Sequence, residues 1–247
     1  MDKVKFLGTY IDNLTISETV SLVQKSIQNN NQIHHVVVNA GKIVAMQNDA
    51  KLQQSVNESD LINADGQAVV WASRFLKSPL KERVTGIDLM EELVKKAHLN
   101  KYKIFFLGAR EEVVSRVVSI YKNKYSPEII AGYRNGYFKK EEEHHIAKQI
   151  AASGAQILFV AISSPIKEIF LFENKDLLKN VNFIMGVGGS FDVIAGLVKR
   201  APLWMQKNGL EWFYRFIQEP RRMWKRYLVG NTKFIALVLK EKIKFKK

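Results

Sequence analysis

Short runs of apolar, β-branched and aromatic residues recur along the chain at Val4–Leu7, Val36–Val38, Ile104–Leu107, Glu128–Ala131, Ile157–Ile162 and Phe183–Val187. Between most of them lie stretches of roughly 12–25 residues with helical periodicity, such as Val113, Val117, Val118 and Tyr121, which share one helix face. Strand and helix in alternation predict an α/β fold: a mostly parallel, Rossmann-like sheet flanked by helices. After Gly196 the pattern changes. Leu210, Phe213, Tyr214 and Ile217 form an i, i+3, i+4, i+7 stripe, Pro220 interrupts it, and a second helical segment follows from about Arg221 to Leu239. That segment carries Met223, Tyr227 and Phe234 on one face and Arg222, Arg226 and Lys233 on another. The chain therefore divides into an α/β body, residues 1–195, and a helical C-terminal appendage, residues 196–247.

Charge sharpens this division. The net charge of +14 is unevenly placed: residues 1–198 hold 24 Lys and Arg against 21 Asp and Glu, whereas residues 199–247 hold 14 against 3. A basic segment can meet nucleic acid, a polyphosphate or an anionic membrane leaflet, or it can be a solvated tail. Trp204, Trp212, Phe213, Tyr214, Phe216, Trp224, Tyr227 and Phe234 are interleaved with these charges, which suits a helix pair lying at lipid headgroups better than a groove reader. An anionic membrane surface is the expected partner and nucleic acid is not. The apolar stripe at Leu210–Ile217 leaves three surfaces open to it: the body, which is the commonest outcome, a second copy of the chain, or lipid.

The chain has 247 residues, 47% of them hydrophobic, and no cysteine, which excludes disulfides and thiolate chemistry and fits a reducing cytoplasm. The N-terminus lacks a signal-like apolar region, and no run approaches the ~18 apolar residues of a membrane span. The expected location is thus cytoplasmic and peripheral, on the inner face of the cell membrane.

In open parallel sheets ligands sit beyond the carboxyl ends of the strands, so the loops after each run hold the candidate chemistry. These are Asn39-Ala-Gly41, Asn63-Ala-Asp65-Gly66, Gly108-Ala-Arg110, Ser163-Ser164-Pro165 and Gly186 to Asp192. A dinucleotide fingerprint would need glycine where Phe191 stands, and neither a phosphate-binding P-loop nor an H-E-x-x-H zinc motif occurs. His34-His35 and His144-His145 are adjacent pairs whose side chains diverge in strand or helix, so neither is expected to share a metal. Asp65 is the outstanding carboxylate. By spacing alone it is better read as a helix N-cap than as a catalyst. The chain also lacks a D-x-D pair for a divalent ion, so a sugar-nucleotide transferase built on it would neutralise diphosphate with cationic side chains.

Taken in order, Val38-Asn39-Ala40, Asn63-Ala64-Asp65-Gly66, Arg83-Val84-Thr85-Gly86-Ile87-Asp88, Phe106-Leu107-Gly108, Asn135-Gly136-Tyr137-Phe138, Gly186 to Asp192, Arg200-Ala201-Pro202, Gly209 to Arg215 and Glu219-Pro220-x-Arg222 resemble the WecG/TagA/CpsF family of inverting glycosyltransferases. The likeness extends from near the N-terminus to about Tyr227. It implies metal-independent transfer of a sugar, N-acetylmannosamine or a relative of it, from a UDP-sugar to an undecaprenyl-diphosphate-linked acceptor, in the synthesis of a cell-surface polysaccharide or teichoic acid. No cofactor is implied. By the same resemblance Asp65 is the general base, Asn39 a sugar-pocket residue, and Arg215 and Arg222 the appendage cations that face the diphosphate. Arg83, Gly108, Arg110, Tyr137, Ser164, Lys167, Gly188, Gly189, Asp192 and Arg226 complete the expected substrate-binding set.

Two positions depart from the family pattern. Lys167 stands where an amide is usual and Val37 where some relatives have threonine. The lysine fits a donor carrying a charged group, or a contact with Asp65 or the diphosphate, and the second is favoured. The rival readings are a nucleic-acid-binding protein and a noncatalytic sugar-nucleotide-binding scaffold.

Overall fold

The computed structural model describes residues 2–244, without the side chains of Arg222, Lys225 and Arg226. The candidate cations Arg222 and Arg226 thus lie outside the described side chains.

Eight strands form two sheets. β1 (Lys3–Phe6) and β2 (Thr9–Asp12) make an antiparallel hairpin, and β3 (Ile33–Val38), β4 (Leu61–Ala64), β5 (Ile104–Gly108), β6 (Ile130–Arg134), β7 (Ile157–Ala161) and β8 (Phe183–Gly186) form a second sheet. The second sheet is wholly parallel, in the order β4-β3-β8-β7-β5-β6. The first apolar run therefore does not join the parallel sheet. Leu7 and Gly8 turn the chain back at φ 45° and 89°, the paired positive values of a tight hairpin turn. Two further boundaries differ from the sequence pattern. Pro127 starts a 3-10 turn, Pro127–Ile129, so the strand near it begins at Ile130. The edge strand β4 was hidden in four residues whose third, Asn63, is polar yet buried.

The central strands of the parallel sheet are covered on both faces, as the unbroken apolar runs of β5, β7 and β8 require. On one face Phe106, Phe159, Phe183 and Met185 pack with helices Ile16–Gln28, Gly86–Asn100, Glu111–Lys124 and Ser190–Ile194. On the other, Leu107, Leu158, Val160 and Ile184 pack with Glu143–Ala152 and Ile166–Glu173, while Val36, Val38, Ile62 and Ala64 pack with Ala40–Met46, Ala50–Asn57 and Gln67–Phe75. The helix after β3 thus covers the opposite face from the helix after the neighbouring β8. That divergence opens a crevice at the strand ends, where ligands of such sheets bind.

The histidines of β3 are structural. His35 is buried against Phe183, with ring centroids 5.7 Å apart, and its Nε2 lies 3.0 Å from Asn63 Oδ1. Burial pushes the pKa of His34 down to about 4 and that of His35 to about 3, so both are neutral near pH 7.

Helices Leu203–Lys207, Glu211–Gln218, Pro220–Trp224 and Gly230–Lys244 follow, the last two joined by a wider π-type turn, Lys225–Val229. Pro220 opens a helix instead of merely breaking one, the position where its missing N–H is harmless. Helix Gly230–Lys244 is not a loose tail: Phe234 and Val238 are buried in the same cluster as Phe6, Ile43 and Met46. Among the described residues no helix is long and apolar enough to cross a membrane.

Candidate active site

Asp65 follows β4 directly. Its N–H donates to the Val38 carbonyl at 2.9 Å, and the Val84 N–H donates to the Ala64 carbonyl at 2.8 Å, so the residue is fixed between two neighbouring segments. It does not cap the helix that follows. Gly66 occupies the N-cap of Gln67–Phe75, with no side-chain cap bond, which leaves the Asp65 carboxylate for other work. A β-carbon on Gly66 would stand 3.3 Å from Asn39 Cβ, so glycine lets the ends of β3 and β4 close together. Asn39 is itself an N-cap, its Oδ1 accepting from the Lys42 N–H at 3.0 Å.

The half-buried Asp65 carboxyl has its pKa pushed up to about 6. Burial is the main cause; Arg83, the Gly86 N–H and Lys42 work against it, and the negative charge of Glu211 adds to it. A carboxylate of this kind holds a proton far better than an exposed aspartate and is still mostly ionised at neutral pH.

Beneath the crevice lies a buried charge cluster. The ammonium groups of Lys42 and Lys167 both stand 2.7 Å from Glu168 Oε1, and all three side chains are buried. Burial alone would raise the Glu168 pKa, but Lys42 and then Lys167 outweigh it and hold the group at about 2. Gly186 makes room for this, since a β-carbon there would lie 2.5 Å from Lys167 Cε.

The C-terminal helices reach the same crevice. Arg215 Nη2 sits 2.8 Å from where a β-carbon of Gly189 would be, with Asp192 Oδ2 at 3.8 Å from that point. The Nε of Arg215 is buried and has no hydrogen-bond partner among the described residues. Glu211, one turn earlier, accepts from Arg83 Nη1 at 3.1 Å and from Arg200 Nε at 3.4 Å. Arg200 in turn makes two bonds to the Asp88 carboxylate, at 2.6 and 2.7 Å.

The structure therefore brings Asp65, Asn39, Arg83, Lys167, Gly188, Gly189, Asp192 and Arg215 to one end of the sheet. The remaining candidates stand farther along the strand ends. Ser164 is exposed after β7, Arg110 is exposed after β5 beside Glu112, and Tyr137 is 74% exposed after β6. At ~4.8 Å between strands, β6 lies roughly 24 Å from β4. Gly108 has a backbone role: its φ is +125°, and a β-carbon would come within 2.5 Å of the Ala161 carbonyl carbon. Sequence reasoning missed Lys42, Glu168, Asp88, Arg200 and Glu211 as members of the site. The last three stood inside quoted motifs, where a charged residue was the available signal, and Glu168 directly follows Lys167 in the Pro165–Glu168 segment that departs from the family pattern; Lys42 carried none.

A model of the glycosyl transferase WecG/TagA/CpsF family matches residues 4–247. Similar curated proteins carry the name N-acetylglucosaminyldiphosphoundecaprenol N-acetyl-beta-D-mannosaminyltransferase. That of Bacillus subtilis (strain 168) is 41% identical over 186 residues, covering 75% of this chain and 71% of its own length. That of Bacillus spizizenii (strain ATCC 23059 / NRRL B-14472 / W23) is 38% identical over 196 residues, with coverages of 79% and 74%. That of Staphylococcus aureus (strain MW2) is 34% identical over 253 aligned residues, with coverages of 99% and 95%.

Proposed function

The chain belongs to the WecG/TagA/CpsF family of glycosyltransferases, and from that premise we propose that it transfers N-acetylmannosamine or a closely related sugar from a UDP-sugar to a polyprenyl-diphosphate-linked N-acetylglucosamine, with inversion and with Asp65 as general base. The names of the relatives support the acceptor and the sugar. The observation that carries the mechanism is Asp65 itself: a carboxylate at the crevice end of β4, free of capping duty, with its proton affinity raised by burial.

The step needs one displacement. The acceptor hydroxyl oxygen forms a bond to the anomeric carbon as the bond from that carbon to the diphosphate oxygen breaks. UDP departs with the electron pair, and the hydroxyl proton passes to Asp65. A positioned base contributes typically ~10²–10⁴-fold to such a step. Charge on the departing diphosphate is met by cations in place of a metal: Arg215, whose Nε has no hydrogen-bond partner among the described residues, and Arg222 and Arg226 farther along the same segment. Asn39 lines the sugar pocket beside Asp65. The basic, aromatic-rich C-terminal segment holds the protein against the inner membrane face, where a lipid-linked acceptor resides.

UDP release from UDP-N-acetylmannosamine, measured with a short-chain diphospholipid acceptor, tests the reading. Asp65→Asn is expected to lose turnover by roughly 10²–10⁴-fold while still binding UDP, and wild-type turnover is expected to survive chelation of divalent ions. Full turnover in Asp65→Asn would remove the base from the mechanism.

A further inference from the structure

Helix Glu211–Gln218 carries Arg215 to the crevice, yet none of its residues is fully buried. Phe213 and Ile217, members of the stripe that the sequence leaves open between the body, a second copy and lipid, remain 43% and 59% exposed. Apolar burial therefore contributes little to seating this helix, and polar contacts must fix its place. At its end Gln218 Nε2 donates to the Lys199 carbonyl at 3.0 Å, and at its start Glu211 binds Arg83 with one carboxylate oxygen and Arg200 with the other. Arg200 is fastened by two bonds to Asp88, whose carboxylate also accepts from the Thr85 hydroxyl. Thr85 and Asp88 form the N-terminal cap of helix Gly86–Asn100, and Gly86 between them lies against Asp65, a β-carbon there standing 4.0 Å from Asp65 Oδ2. One connected network thus runs from the C-terminal segment to the loop that stands beside the base. Among the described residues the charged groups acting on Asp65 are Arg83, Glu211 and Lys42, and of these Glu211 belongs to that segment.

We propose that Glu211 is a positioning residue that clasps the C-terminal segment to the Arg83–Asp88 loop and sets the charge around Asp65, so that the base is tuned only when the segment bearing Arg215 is seated. The inference rests on the reading of Asp65 as the base. Removing Glu211 deletes a negative neighbour of Asp65 and frees the Arg83 charge to act on it. Both changes favour the ionised carboxylate and make it a weaker base.

The test uses the full chain and its UDP release from UDP-N-acetylmannosamine with the short-chain acceptor, followed across pH. Glu211→Gln is expected to lower kcat by roughly ten- to a hundredfold through misplacement of the segment and to move the acid limb of the kcat profile to lower pH. Hydrogen exchange across residues 211–218 is expected to quicken. Glu211→Asp, which keeps the charge on a shorter arm, should hold the acid limb near its wild-type position and recover part of the rate. A fall in rate with an unmoved limb in Glu211→Gln means a merely structural contact and overturns the proposal, as does unchanged exchange. If Glu211→Gln does not fold, a Glu211→Asp limb displaced to lower pH overturns it equally, since charge is kept. Asp65→Asn is run beside these: turnover there defeats the base assignment itself, whereas an inactive Asp65→Asn with an unmoved Glu211→Gln limb defeats only the clasp.

Discussion

At the scale of single residues, the site holds two carboxylates that burial treats alike and neighbours treat differently. Burial dominates at Asp65 and the pKa rises to about 6; two lysines dominate at Glu168 and hold it at about 2. Opposite consequences for stability follow. In the unfolded chain Asp65 ionises near its ordinary value of 3.8, in the folded protein near 6, so the folded state binds the extra proton between these values and loses stability as pH rises through them. Above about pH 7 the penalty is complete, on the order of 2–3 kcal/mol. Asp65→Asn is therefore expected to melt higher than wild type at neutral pH, with the gain vanishing below about pH 4; equal stabilities at both pH values would contradict the burial account. Glu168 works the other way. Its ionised form is stabilised by Lys42 and Lys167, so its contribution is present at neutral pH and lost only as pH falls toward 2. Glu168→Gln leaves two buried ammonium groups facing an amide and is expected to cost about 3–5 kcal/mol in urea unfolding at pH 7.

At the scale of elements, the parallel sheet was legible because β3, β5, β7 and β8 are apolar on both faces and helices of clear periodicity separate them. The failures have local causes. Val4–Leu7 reads like any other strand, and only the positive φ values at Leu7 and Gly8 turn it into a hairpin. In β4, Asn63 interrupts the apolar run because its amide serves His35 and the Asp12 carbonyl from inside the core. Asp65 was legible as a residue but not in its role, since spacing could not tell that Gly66 would take the N-cap. The pairing of Lys42 with Glu168 was illegible because it joins residues 126 positions apart in sequence. The loop from Gly186 to Gly189 gives the element-scale prediction. A β-carbon at Gly189 comes too close only to the flexible end of Arg215, 2.8 Å away, Asp192 Oδ2 lying at an ordinary 3.8 Å, so Gly189→Ala should fold normally while displacing that guanidinium. An unchanged melting temperature with transfer reduced by roughly tenfold or more is the expected pairing, removal of a charge-stabilising donor being worth up to ~10²–10³. Wild-type transfer in a folded Gly189→Ala protein would separate Arg215 from the leaving group.

At the scale of the whole molecule, the last helix has two apolar faces with different destinations. Phe234 and Val238 point into the body and are buried beside Phe6, which anchors the C-terminal segment to the catalytic sheet. Ile235, Leu239 and Ile243 repeat every fourth residue on the outward side and are 56%, 50% and 63% exposed. Lys240 and Lys244 flank them, within a segment that holds most of the chain's positive excess. An apolar stripe bordered by lysines suits the headgroup boundary of an anionic bilayer, where each engaged cation is worth about 1 kcal/mol and each inserted methylene about 0.8 kcal/mol. The two faces can be tested apart because the side chains of the outward one are at least half exposed. The triple change Ile235→Ser, Leu239→Ser and Ile243→Ser is expected to leave the melting temperature within a few degrees of wild type, since exposed substitutions rarely move stability by more than about 0.5 kcal/mol each. Co-sedimentation with phosphatidylglycerol vesicles should fall by at least about tenfold in partition coefficient. Raising salt should weaken what binding remains, because the attraction of the cationic side chains then carries a larger share of it. Transfer to a soluble short-chain acceptor should persist, because Glu211 and Arg215 still reach the crevice. If the variant pelleted with vesicles as well as wild type does, the outward face of this helix would not be the membrane contact, and the basic aromatic stretch before it would have to supply the attachment alone.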